Sequence, residues 1–316
     1  MHKKTIQLLS GVACAALFAA GQAVAAEPKS CADVRMATPG WADIDSTNAI
    51  AGLVLEALGY RQSVQNLSVP ITYQGLQKGQ LDVFLGNWMP AQKPMVDPLV
   101  QKKAVEVVVP NLTNAKFTLA VPSYVAEAGI KRFADLANHG DKFSKTIYGI
   151  EPGAPANQNI DRMIKAKDFG LGDWKLVESG EAAMLTQVAR NVRDQKWVVF
   201  LGWEPHLMNA KFKLNYLEGG DAYFGPNYGA ATVYTVTRPG YAGECPNVGR
   251  LFSQMKFSVD LENEIIAANI GEKVEVKTAA REALRKHPEL VKAWLEGVTT
   301  ASGGDGLGAV RQSLGI

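Results

Sequence analysis

Two short stretches of this chain echo one another. Val83-Phe84-Leu85-Gly86-Asn87-Trp88-Met89-Pro90 is matched by Val199-Phe200-Leu201-Gly202-Trp203-Glu204-Pro205. Each is an apolar run, then Gly and Trp, with Pro two residues beyond the Trp. Short apolar runs bounded by turn residues read as buried strands. Strands are expected at 33–37, 81–85, 104–109, 116–121, 145–150, 175–178, 197–201 and 230–237. Helices are expected at 47–58, 157–167 and 181–193, and 246–294 reads as mostly helical with breaks near Gly271 and Pro288. Asp45 or Ser46 is the expected cap of the first helix and Gly59 its stop. This alternation is α/β order with a helical tail. The same edge recurring from position 88 to position 203 implies two such units.

The first 26 residues look unlike the rest. His2, Lys3 and Lys4 precede an apolar stretch, and Ala23-Val24-Ala25 is a small-residue cleavage pattern, so 1–26 is expected to be a secretory signal. A lipidated Cys14 fits poorly, with Gly11 where a large aliphatic residue belongs. Such a leader implies a bacterial periplasm. Two of the 33 Lys+Arg residues lie in it against no acid; the 31 that remain match 31 Asp+Glu. A neutral chain has no broad electrostatic hold on nucleic acid or anionic lipid. About 290 residues exceed what one core usually fills, which again favours two lobes. Beyond the leader only Cys31 and Cys245 remain. In an oxidising compartment they make most simply one disulfide, the alternative being two buried thiols. Neither has a CxxC partner or a nearby His pair, so no metal site is expected.

Trp88 and Trp203 each follow a strand, and Trp41, in Gly40-Trp41-Ala42-Asp43, lies between the first strand and the first helix. In open α/β sheets, ligands sit beyond the carboxyl ends of strands. The three rings can converge on one cleft there, or each can close the core of its own lobe. Trp174, Trp197 and Trp294 read as packing residues. Several aromatic faces around one point suit a diffuse, weakly hydrated cation such as a quaternary ammonium. Asp43 can balance such a charge or accept a hydroxyl proton. It can equally serve the helix N-terminus beside it. The chain has no GxSxG, HExxH, GxxxxGK[ST] or dinucleotide fingerprint, so neither catalytic residues nor a cofactor are expected. His139, His206 and His287 do not pair at metal-ligand spacing; His206, just after the Trp203 turn, reads first as a surface or capping residue and otherwise as a neighbour of the cleft. Gly303-Gly304-Asp305-Gly306 reads as a loop rather than a phosphate cradle.

A wider motif set resembles a known family. It comprises Gly40-Trp41-x-Asp43, the two Trp echoes, Ile150-Glu151-Pro152-Gly153, Phe224-Gly225-Pro226-Asn227-Tyr228-Gly229 and Glu244-Cys245-Pro246-Asn247-Val248-Gly249. The set closely resembles the choline-binding proteins of bacterial ABC importers, within the glycine betaine/choline substrate-binding group. The resemblance covers nearly the whole chain after the leader. It implies a type II periplasmic binding fold: two lobes, each a central mixed sheet flanked by helices, joined by a two-stranded hinge and closing over the ligand. Lobe I is expected to take 27–113 and 212–316, and lobe II 114–211. The resemblance further implies a Cys31–Cys245 disulfide and a permease in the inner membrane as partner; a monomer is expected, because such closure is intramolecular and the sequence has no coiled-coil heptads. It implies an ammonium cage of Trp41, Trp88 and Trp203, with Phe117 where the family has tyrosine, and Asp43 as the pocket aspartate. The family's ligand-contacting asparagine is replaced by Ala154, which leaves room for a larger ligand such as carnitine; Asn157 is the candidate to compensate.

Overall fold

The computed structural model describes residues 27–316. The expected signal, 1–26, lies outside them. Nine strands occur among the described residues: β1 (Asp33–Thr38), β2 (Arg61–Asn66), β3 (Val83–Met89), β4 (Glu106–Pro122), β5 (Thr146–Tyr148), β6 (Lys175–Val177), β7 (Val199–Glu204), β8 (Leu214–Tyr216) and β9 (Ala230–Thr237). They run in the order β2-β1-β3-β9-β4-β7-β5-β6, with β8 beside β4. β1 is parallel to β2 and β3, while β9 is antiparallel to β3. On the far side β5 is parallel to β6 and β7, while β7 is antiparallel to β4. Each half is thus a mixed sheet, and antiparallel β4 and β9 join the halves. This is the expected two-lobed α/β architecture with a two-stranded connection.

The apolar runs are buried as expected: Val34, Met36, Val83, Phe84, Val199 and Phe200 have no exposed surface. The glycine of each echo has a packing reason. A Cβ on Gly86 would lie 2.7 Å from the Phe84 ring, and one on Gly202 would lie 2.9 Å from the Ala120 Cβ. Both strands run on through the tryptophan, so Trp88 and Trp203 are the next-to-last residues of β3 and β7 rather than parts of exposed loops.

Several elements differ from expectation for local reasons. β2, Arg-Gln-Ser-Val-Gln-Asn, has no apolar alternation because it is a mostly exposed edge strand. Polar edges discourage pairing between molecules. The helices Val69–Gln77 and Lys93–Gln101 were hidden by Pro70, Pro94 and Pro98; the first two sit in the first turn, where the missing N–H matters least. The strands expected at 104–109 and 116–121 are one strand, β4. Its middle, Pro110 to Asn114, stays in the sheet through register shifts against β9. The first helix starts at Ala42, not at 47, and Trp41 is its N-cap. Gly40, at φ +84°, makes the turn out of β1. Asp45 does not cap: it accepts the Thr38 hydroxyl at 2.6 Å from inside the first turn. The return to the first half comes later than 211. β8 pairs with the end of β4, and Phe224 packs on Phe117 and Phe133, so the chain stays with the second half until β9.

Cys31 and Cys245 form a disulfide across a sequence separation of 214, both buried. Chain-entropy arithmetic for so long a loop gives a stabilisation on the order of 5 kcal/mol as an upper figure. A Cys31→Ser, Cys245→Ser double variant should lose up to that much in denaturant unfolding. An unfolding free energy equal to that of the wild type would remove the bridge from the account. Among the described residues no helix is long and apolar enough to cross a membrane.

Candidate functional site: an aromatic cavity between the halves

The end of β1, the end of β3, the middle of β4 and the end of β7 face one cavity. Trp41, Asp43, Trp88, Phe117 and Trp203 all line it. Phe117 stands directly opposite Trp203 in the β4–β7 pairing, so the two rings enter the cavity together. Trp88 and Phe117 lie 6.2 Å apart, tilted by 57°. Ala91, Gln92, Ile150, Ala154, Pro155 and Ala156 complete the wall, which bounds about 380 Å³ counted out to its mouth. Ile150 and Ala154 lie in or beside a motif already named; Ala91, Pro155 and Ala156 escaped sequence reasoning because small apolar residues carry no chemical signal of their own, and Gln92 because nothing around it in the sequence marks it.

Polar groups around the rings are arranged to hold them. Trp88 Nε1 donates to Asp43 Oδ2 at 3.1 Å, and Trp41 Nε1 donates to Glu151 Oε2 at 3.0 Å. The Gln92 amide is committed to Tyr73 and to the Gly86 carbonyl. Asp43 Oδ1 is therefore the distinctive polar atom of the lining: it is buried and has no hydrogen-bond partner. Burial pushes the Asp43 carboxyl up to about 8, and the nearby Glu181 adds to the rise. The Trp88 N–H opposes it by favouring the carboxylate. Burial likewise raises Glu151, and it raises Glu262 well above the usual range with Asp43 adding to it. The cavity thus has apolar walls backed by carboxyl groups. The lining contains no Lys, Arg or His.

Two residues sit differently from expectation. Asn157 does not line the cavity. Its side chain bonds Ile150 N, Ile150 O, Glu151 O and Glu178 Oε1, which braces the 150–154 loop. Both of its polar atoms are engaged by that loop and by Glu178. His206 is not at the surface: it stands behind the cavity wall, in the place beside the cleft that its position after Trp203 allowed. It is buried edge-on to Trp203 at 5.1 Å, with Nδ1 accepting from Met208 N and Nε2 2.9 Å from Glu181 Oε1. Trp174, Trp197 and Trp294 do pack elsewhere, against Phe143 and Phe257. Asp305 caps the helix Gly306–Leu314 through Gly308 N, as a loop residue would.

Two mixed half-sheets joined by two long strands, with an aromatic cavity between them, define the two-lobe class of solute-binding proteins. Residues 32–286 match the family described as the substrate binding domain of ABC-type glycine betaine transport systems, and the chain belongs to that family. An ABC-transporter choline binding protein in complex with choline is 49% identical, covering 91% of this chain and 100% of that one, with a TM-score of 0.89. The same kind of protein in an unliganded semi-closed conformation, also 49% identical over the same shares, gives a TM-score of 0.83. The present arrangement thus overlays the liganded form better than the semi-closed one. A lactococcal OpuAC in its closed-liganded conformation with glycine betaine is 25% identical, covers 84% of this chain and 99% of that one, and has a TM-score of 0.75.

Proposed function

We propose that this chain is a periplasmic binding protein that captures choline between two closing lobes and delivers it to an ABC permease. The observation that carries the reading is the lining: three indole faces, one phenyl face and one unpartnered carboxylate oxygen. Trp41, Trp88, Phe117 and Trp203 surround the trimethylammonium group, each good contact contributing roughly 0.5 to 2 kcal/mol. Asp43 balances the charge and accepts the ligand hydroxyl at Oδ1. Asn157 positions the loop that carries Ala154 rather than touching ligand. Lobe I comprises 27–113 and the chain from β9 onward; lobe II comprises 114–229. Residues 1–26 direct export to the periplasm, and the protein works as a monomer. Binding and release complete its part, with no bond made or broken.

The lining also argues for choline over glycine betaine. A carboxylate on the ligand would meet Asp43 and find no cationic side chain in the wall, and a buried unpaired charge is strongly unfavourable. Carnitine is the second candidate: its carboxylate meets the same obstacle, but unlike betaine it has a hydroxyl for Asp43, and Ala154 lines the cavity with only a methyl group. Calorimetric titration of the mature protein with all three ligands is the test. Choline should bind most tightly. Choline binding weaker than about 1 mM beside tight betaine or carnitine binding contradicts the assignment.

A further inference from the structure

Glu181 touches no part of the cavity lining, yet it ties together the two sides that form it. It opens the helix Glu181–Arg193, which follows β6 in the second half. Its Oε2 accepts from Ala42 N at 3.2 Å, in the first turn of the helix that follows β1 in the first half. Its Oε1 meets His206 Nε2 at 2.9 Å, and His206 backs Trp203. One carboxylate therefore spans from the Trp41–Asp43 corner to the Trp203 wall. It also lies at the N-termini of two helices of 16 and 13 residues, where negative charge is favourable. A parallel contact, Trp41 Nε1 to Glu151 Oε2, crosses between the halves at the same mouth. Separating the halves would break both contacts.

We propose that Glu181 is a latch of the closed form: it holds the α/β halves together through Ala42 N and sets Trp203 through His206. It is a positioning residue, and it acts on how long the ligand stays rather than on how it is recognised. The proposal rests on the solute-binding reading, so the test separates the two.

Three variants distinguish the bridge from charge or mere packing. Glu181→Ala removes both contacts. Glu181→Asp keeps the charge and is one methylene too short to reach both partners. Glu181→Gln keeps the reach but has one acceptor for two donors: Nδ1 accepting from Met208 N leaves the proton on His206 Nε2, so Gln accepts from Ala42 N or from His206 and sets its NH2 against the other. Stopped-flow release of choline should be roughly tenfold faster in the Ala and Asp variants, as expected for loss of a hydrogen bond to a charged group, with association little changed. The Gln variant, which keeps one of the two bonds, should fall between wild type and the Ala variant. Spin labels at Lys78 and Lys165, both exposed and on opposite halves, should show a smaller closed population in the free Ala variant than in the free wild type. Release rates and closed populations equal to wild type in the Ala and Asp variants overturn the latch, and so does a Gln variant that matches wild type while the Ala variant does not bind differently from it. If the wild type binds no choline but the Ala and Asp variants still lose closed population, the latch stands and the choline reading falls.

Discussion

Replacing Trp88 with alanine should weaken choline binding by roughly 30- to 900-fold, about 2 to 4 kcal/mol. The size comes from two separate losses. One is the aromatic face, which contributes a cation–π contact in a site shielded from water. The other is the N–H that Trp88 donates to Asp43 Oδ2, the hydrogen bond that keeps this carboxylate in place. Removing so large a buried side chain also threatens the fold. Trp88→Phe avoids that: it keeps a ring and loses only the donor. It should fall between the two, and its loss should grow as pH drops, since Asp43 then ionises less readily. Isothermal titration, with a thermal melt to verify folding, reads both variants. Wild-type affinity in Trp88→Ala would remove the cage from the account.

Asp43→Asn should give the second large effect, in opposite directions for binding and stability. The folded pKa of about 8 stands well above the unfolded carboxyl's 3.8. The stability this group contributes is therefore full below about pH 4, falls as pH rises toward about 8, and is flat above that. The free wild type should lose stability over that window, on the order of a few kcal/mol. Asn cannot ionise, so the variant should lack this loss and be the more stable protein at neutral pH. Choline binding should run the other way. A cation beside Asp43 favours the carboxylate, so wild-type affinity should rise with pH up to about 8 and then level off. Its steepest slope is about tenfold per pH unit. The Asn variant should bind roughly 10- to 150-fold more weakly and without this pH dependence. A wild-type affinity independent of pH between about 6 and 9 would show that Asp43 does not change ionisation on binding. Function here opposes stability, as strained or desolvated sites commonly do.

The residues with sharp chemistry were legible in the sequence. Trp41, Trp88 and Trp203 each followed an expected strand, Asp43 stood beside Trp41 as the acid of the cluster, and the resemblance supplied Phe117; all five line one cavity. The half-sheets followed from apolar runs such as 83–85 and 199–201, because burial on both faces leaves a continuous signal. What stayed hidden depends on contacts far apart in sequence. Glu181 reads as the ordinary start of an amphipathic helix, and its partner Ala42 is 139 residues away. His206 was read first as a surface or capping residue, with the cleft as the alternative, and tertiary packing decides it by burying the ring behind Trp203. Asn157 was placed near the ligand by adjacency in sequence. The chain turns its amide back onto the 150–151 backbone, where buried carbonyl and amide groups require partners. β2 was missed because an edge strand needs no apolar pattern. The start of the first helix was missed because tryptophan is an unusual N-cap.

A structure of the protein crystallised with choline tests the central claim most directly. The ammonium nitrogen should lie within about 6 Å of the centres of the Trp41, Trp88, Phe117 and Trp203 rings. The hydroxyl should sit within hydrogen-bond reach of Asp43 Oδ1, the buried oxygen that now has no partner. Choline bound outside these rings, or with its hydroxyl turned away from Asp43, would contradict the account.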